Sequence, residues 1–148
     1  LNLNIILVHT EEQLKGCFSV RINVFVEEQQ VPPDLEMDEF DDSWMACRHF
    51  LATEGSKPVG AARWRMYDGQ TAKLQRIAVL ASYRGRGIGR ELIQAMEADI
   101  RAQGVPAVIL DAQTQAESFY RKLGYETISP EPFIDAGIWH VRMRKKLL

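Results

Sequence analysis

Cysteine is scarce in this chain: among 148 residues there are two, Cys17 and Cys47, and neither stands at metal-ligand spacing from other ligand types. That excludes a disulfide scaffold and a cysteine-built metal site, and the thiols read as reduced. No apolar run approaches the ~20 residues of a membrane-spanning helix. The apolar start, Leu3 to Val8, lacks the basic flank and cleavage site of a secretory signal. The expectation is a cytoplasmic protein with no membrane partner. Positive charge is not in excess either: 18 basic against 20 acidic residues give a formal net charge of −2, which counts against nucleic acid as the main partner. Repeats, linkers and low-complexity segments are missing. What remains is a hydrophobic content of 46% and a charged content of 26%, ordinary for a globular chain. At this length it reads as one domain over 1–148, able to bury about 70% of its unfolded surface.

The charge is unevenly placed. From Glu27 to Cys47 there are eight acids and no Lys or Arg, which leaves 12 acids against all 18 basic residues elsewhere, a balance of +6. Phosphates would favour the basic part. The acidic stretch reads first as a solvated loop, with attraction of a cationic amine as the functional alternative. Asp38-Glu39-Phe40-Asp41-Asp42 lacks the glycine that an EF-hand loop requires, and no metal is expected.

The most informative run is Arg84-Gly85-Arg86-Gly87-Ile88-Gly89. Before it, residues 72–79 carry Leu74, Ile77 and Val79 in a buried-strand pattern, and an amphipathic helix follows. Strand, glycine loop and helix together build an anion cradle. Glycine lets backbone N–H groups approach oxygen, and a helix start adds unpaired donors and a positive dipole end. The loop is not a Walker loop, because Arg90-Glu91 stands where Lys-Ser or Lys-Thr is needed, nor a dinucleotide fingerprint, because the sixth place from Gly85 is Arg90. Taken by itself the run also fits a tight strand-to-helix turn.

The rest reads as follows. Residues 2–9 form a strand and 11–28 a helix with Leu14, Phe18, Ile22, Phe25 and Val26 on one face, ended by Pro32-Pro33. Residues 45–53 and 58–67 form antiparallel strands, and Asp68-Gly69 turns into a strand over 71–79. A helix over about 87–103 buries Ile88, Leu92, Met96 and Ile100 and stops at Gly104. Ala107 to Leu110 is a buried strand, and Thr114 with Glu117 fits a capping box for a helix whose face holds Ala116, Phe119, Tyr120 and Leu123. Residues 125–129 and 139–147 close the sheet around a loop from Pro130 to Ile138. The order is βαβββαβαββ, an α/β (α+β) fold with a mixed sheet flanked by helices.

Arg84-x-x-Gly87-x-Gly89 after a strand ending Ile77-Ala78-Val79 resembles motif A of the GNAT acyltransferases, and Phe119-Tyr120 followed by Gly124-Tyr125 resembles the end of their motif B. Arg21 to Pro32, Glu36, Asp38, Gly60 to Arg65 and Asp135 to His140 are similar to the bacterial YjcF-like and ElaA-like subgroup, so the resemblance covers essentially the whole chain. It implies the GNAT acyl-CoA N-acyltransferase fold, a mixed and mostly antiparallel sheet. It also implies acetyl-CoA as cosubstrate, held by Ile77, Ala78, Val79, Arg84, Gly85, Arg86, Gly87, Ile88 and Gly89.

The resemblance further implies an N-acetyltransferase acting on a primary amine of a small molecule or peptide, with a homodimer left open. The strand over 72–79 is expected to splay at a bulge and present the backbone of Ile77 to Val79, with the Val79 N–H meeting the thioester carbonyl. Tyr120 is the candidate acid, an unperturbed phenol of pKa ~10 that stays protonated at neutral pH. With no cysteine in either motif, transfer is expected to be direct, and Cys47 reads as core. Of three histidines, His9 and His49 read as structural parts of strands. His140, opposite in parity to Trp139, Val141 and Met143, points off that apolar face. Ile138-Trp139-His140 resembles the segment of glyphosate-acetylating relatives whose histidine is the base. Gln75 and Gln113 stand where those relatives have arginines and Arg21 matches a third, so a phosphonate acceptor is disfavoured while Arg21, Gln75 and Gln113 remain candidates for binding the acceptor. The alternative from another class is an acyl-CoA-binding or sensing module without catalysis.

Overall fold

A computed structural model describes residues 2–148. Strand β1 (Leu3–Leu7) is followed by α1 (Glu11–Arg21), which Thr10 caps by accepting the Gln13 N–H at 3.1 Å. The helix then widens into a π-helical stretch, Ile22–Glu28, where the Gln29 N–H donates to the Val24 carbonyl. A short α2 (Pro33–Glu36) and a 3₁₀ turn (Glu39–Asp41) lead to β2 (Arg48–Glu54), β3 (Lys57–Asp68) and β4 (Thr71–Val79). After α3 (Ile88–Ala102) come β5 (Ala107–Gln113), α4 (Glu117–Lys122), β6 (Glu126–Thr127), β7 (Phe133–Asp135) and β8 (Ile138–Lys146). The eight strands lie in the order β1-β2-β3-β4-β5-β8-β6, with β7 on β8, and only β4–β5 is parallel. No helix among the described residues is long and apolar enough to cross a membrane.

The central strands are buried on both faces. Phe50, Ala52, Ala62 and Trp64 pack under α3, while Leu51, Ala61 and Ala78 face α1. Helix α3 inserts Ile88, Leu92, Met96 and Ile100 as its spacing predicts, each worth about 1.5–3 kcal/mol on burial. It closes on β3 at Gly60, where a Cβ would stand 3.1 Å from both Ile88 and Leu92.

Several sequence expectations are corrected. Residues 11–28 are not one regular helix, and the buried face is Leu14, Cys17, Val20, Arg21 and Val24; Ile22 is exposed because it lies off that face of 14, 17, 21 and 24. The capping box at α4 is absent, since a 3₁₀ turn (Thr114–Ala116) precedes the helix and the Glu117 carboxylate instead accepts from Thr127 and Arg121. The loop after Pro130 contains β7, joined to β8 by Ala136 and Gly137, both at positive φ, as a two-residue hairpin turn needs. His9 lies beyond β1 and is exposed.

The acidic stretch is a solvated surface only in part: Glu27, Glu28, Asp34, Glu39 and Asp42 are exposed, and the other three acids are not. Asp41 accepts from both Nη atoms of Arg21 at 2.7 and 2.9 Å and from Arg63 Nη1 at 2.9 Å, and Asp38 accepts from Arg63 at 2.6 and 2.8 Å. Glu36 takes Arg21 Nε at 2.6 Å. Arg21, Arg63, Glu36 and Asp41 are buried and Asp38 is half-buried, so three of the eight acids are internal counter-charges rather than a solvated surface.

Candidate active site

Strand β4 carries the defect that opens the sheet. Ala61 pairs with Ala78 and Arg63 with Gln75, so β4 has one extra residue across this interval, and Arg76 sits there at φ +56°. A non-glycine residue at positive φ is strained and persists only when its surroundings hold it. Here the Arg76 guanidinium donates to the carbonyls of Glu36 at 3.1 Å and Leu35 at 3.3 Å. Beyond the bulge β4 leaves β5: the pair is hydrogen-bonded only over Thr71–Leu74 and Ala107–Leu110. A cavity of about 530 Å³ fills the gap.

Backbone alternation decides which groups face that gap. Leu80 N–H donates to the Val59 carbonyl and Ala78 is paired with Ala61, so the intervening Val79 turns its own N–H and C=O away from β3. Its carbonyl accepts Arg84 Nε at 3.0 Å. The Val79 N–H is therefore off the β3 ladder, whereas the Ala78 backbone belongs to it. Ile77, Ala78 and Val79 all line the cavity.

Arg84, the first residue of the glycine loop, lines the cavity, whereas Gly85, Arg86, Gly87, Ile88 and Gly89 follow it without lining it. Gly85 and Gly87 have φ of +78° and +81°, and Gly87 is the left-handed residue at the start of the 15-residue α3. Among the described residues no acceptor takes the six successive N–H groups from Gly85 to Arg90, and the first helical bond is Glu91 N–H to the Gly87 carbonyl. A run of unpaired amides at a helix start is an anion nest. Ile88 contributes only its backbone there, its side chain being core, and Arg86 lies over the Tyr83 ring at 5.0 Å. Arg84 lines the cavity and holds Glu28.

Tyr120 and His140 line the same cavity, from α4 and β8. The Tyr120 ring packs edge-on to Phe119 and Tyr125, and its hydroxyl has no hydrogen-bond partner among the described residues. Burial pushes this phenol above its ordinary value, which corrects the expectation of an unperturbed group. His140 is buried, not exposed, while Trp139 is the outward residue at 54% exposure. Its Nδ1 lies 2.7 Å from the Ile138 carbonyl and its ring stacks on Phe133. That contact assigns the proton of the neutral ring to Nδ1 and leaves Nε2 as the acceptor.

Gln75 and Gln113 line the cavity as well, with Gln113 opposite His140 in the β5–β8 register. Arg21 does not join them. It is 1% exposed and fully engaged by Glu36 and Asp41, so its expected contact with an acceptor gives way to a role in the core. Sequence reasoning missed Gln29, Arg76 and Asp111, which also line the cavity. Glu36 lines it too, its carboxyl pushed up by burial despite Arg21 and Arg76. Glu36 was legible only as part of an acid run, and the others carry no local signal. Neither thiol lines the cavity, and burial raises Cys17 to about 12 and Cys47 in the same direction.

The sequence matches the Acetyltransferase (GNAT) domain over residues 8–147. It is 46% identical over 140 residues to the uncharacterized N-acetyltransferase YjcF of Bacillus subtilis, covering 95% of this chain and 97% of that one. A candidate N-acetyltransferase from Lactobacillus plantarum has a TM-score of 0.90 at 26% identity over the whole of both chains. The PaiA N-acetyltransferase of Thermoplasma acidophilum, solved with coenzyme A, has the same fold at a TM-score of 0.72 and 18% identity over 99% of each chain. This chain belongs to the GNAT acetyltransferase family.

Proposed function

We propose that the protein is an N-acetyltransferase that passes the acetyl group of acetyl-CoA directly to a primary amine of a small molecule or peptide. One juxtaposition carries this reading: six unpaired amides follow Arg84, which lines a cleft together with Val79 of the open strand, a phenol and an imidazole. The residues fit the coenzyme. The nest and Arg84 suit its diphosphate, and the cleft between β4 and β5 suits an extended thioester arm.

Each group then has a task. The Val79 N–H donates to the thioester oxygen as the amine nitrogen attacks and that oxygen gains charge. His140 Nε2 takes the proton that the nitrogen loses, directly or through water. The carbon–sulfur bond breaks, and Tyr120 donates a hydrogen bond to the departing sulfur. Because burial holds this phenol above ~10 and a thiol ionises near ~8.5, complete transfer of its proton is uphill by at least about 2 kcal/mol. The hydrogen bond is therefore its larger contribution, and the proton lost at nitrogen balances the one gained at sulfur. Raised thiols outside the cavity support direct transfer over a cysteine carrier. Gln75 and Gln113 face the acceptor.

The test has two arms. Coenzyme A at a hundred times its Kd stabilises the fold by about 2.7 kcal/mol in thermal melts, and ATP at equal concentration does so far less. Acetyl-CoA with a panel of amines releases thiol, and His140→Ala lowers that turnover while coenzyme stabilisation persists. Equal stabilisation by ATP removes the coenzyme; stabilisation without thiol release across the panel returns the non-catalytic binding module.

A further inference from the structure

Two adjacent residues at the end of the π-helical stretch tie the arms of the cleft together. Glu28 accepts both Nη atoms of Arg84 at 2.7 and 2.8 Å, and the same guanidinium donates through Nε to the Val79 carbonyl. The next residue, Gln29, exchanges amide hydrogen bonds with Gln113 at 2.8 and 3.3 Å. Val79 and Arg84 lie on the β4 arm and Gln113 on the β5 arm, which diverge beyond Leu74 and Leu110. Consecutive side chains thus form a clasp across the gap.

Its two legs differ in chemistry. The amide leg is neutral and offers nothing to a phosphate that water does not. The ionic leg joins side chains that are 43% and 38% exposed, so it is held only weakly against solvent and salt. Glu28 is kept ionised by Arg84, which holds its carboxyl below the usual range. It is a fixed negative charge paired to the arginine that begins the nest loop, and a diphosphate arriving at the nest competes with it for one guanidinium.

We propose that Glu28 is the built-in counter-ion of the coenzyme site: it holds Arg84 across the cleft until the coenzyme phosphates displace it, so the ionic leg opens on loading while Gln29–Gln113 stays tied. The proposal rests on the coenzyme reading above. Glu28 acts through Arg84 and is a positioning residue that sets coenzyme affinity.

Calorimetric titration of the full chain with coenzyme A tests it. Glu28→Gln should tighten the Kd about three- to fivefold, the scale of an exposed ion pair, and the same factor should appear in KM for acetyl-CoA. The exposed neighbour Glu27, whose side chain meets Asn23 rather than an arginine, serves as control, and Glu27→Gln should leave the Kd in place. In an Arg84→Gln background the Glu28 substitution should have no effect, the signature of a coupled pair. Pantetheine, which lacks the phosphates, should bind wild type and Glu28→Gln alike. An unchanged or weaker Kd in Glu28→Gln overturns the proposal, as does equal tightening by Glu27→Gln or a gain that survives without Arg84. Melting of the unliganded variants establishes that they fold. Wild type that binds no coenzyme A overturns the coenzyme reading together with this one, whereas wild type that binds while Glu28→Gln changes nothing overturns this one alone.

Discussion

Tyr120 and Tyr125 share a helix end and an edge-on ring contact, yet their hydroxyls are in opposite situations. Tyr125 Oη donates to the buried Glu97 carboxylate at 2.7 Å, while Tyr120 Oη has no partner among the described residues. A buried hydroxyl bonded to a charged group stabilises the fold, and an unpartnered one does not. Tyr125→Phe should therefore cost about 1.5–3 kcal/mol in urea denaturation. Tyr120→Phe should leave stability within about 0.5 kcal/mol of wild type while lowering turnover at least about tenfold, a threshold set below the ~10²–10⁴-fold of full acid–base catalysis. Loss of stability without loss of turnover in Tyr120→Phe would return that residue to the core. No spacing in the sequence separates the two tyrosines, because the difference lies in whether Glu97, on a different helix, reaches the ring.

Among the elements, the glycine loop was readable in advance and the first helix was not. Gly85 and Gly87 hold positive φ, which glycine adopts without strain, in a run of six amides that have no acceptor among the described residues, and their positions in the sequence announce it. Gly87→Ala places a Cβ on a left-handed residue, where it meets only Arg90 at 3.5 Å, so the penalty is backbone strain of about 1–2 kcal/mol rather than a clash. The expected result is a small loss of stability in thermal melts and a rise of at least tenfold in the coenzyme Kd, since relief of the strain disperses the nest. A change in stability with full coenzyme affinity would mean that the loop is only a turn. The bulge of β4 was expected only from the family resemblance: Arg76 itself has an ordinary strand residue's sequence context, and carbonyls of Leu35 and Glu36, some forty residues away, hold its guanidinium at that positive φ. The π-helical stretch is equally silent in the sequence, yet it brings Gln29 to Gln113.

The molecule as a whole is organised around buried charge as well as apolar packing. Asp41 receives three arginine contacts, and these hold its carboxyl far below the ordinary range despite burial. A group depressed in the folded state contributes stability that is complete above its unfolded pKa and is lost as pH falls through the folded value. Asp38 and Asp111 share this sign. Glu36, raised by burial, has the opposite one: its contribution declines as pH rises through its folded value and returns as pH falls, so it partly offsets the acid loss. Asp41→Asn should therefore destabilise by about 3–5 kcal/mol at neutral pH, because Arg21 and Arg63 are left buried without their partner. The gap to wild type in urea midpoints should narrow below about pH 4, where the wild type begins to lose the same interaction. A gap independent of pH would mean that packing, not charge, is what Asp41 supplies.

Composition, periodicity and spacing by themselves determined the order of the main strands and helices, the buried face of α3 and the glycine loop, and resemblance to known motifs supplied the family. Each depends on neighbours within a turn or a strand, where residue spacing maps directly onto geometry. The tertiary structure alone decided which charges are internal, since Arg21 reads as a site residue until Glu36 and Asp41 are seen to enclose it. It also decided that His140 is buried and Trp139 exposed: His140 lines the cavity with Phe133 of the paired strand β7 stacked on its ring, contacts that the pattern of β8 alone does not record. Finally, it brought Glu28 to Arg84 and Gln29 to Gln113, pairs 56 and 84 residues apart, whose meeting follows from where the sheet parts.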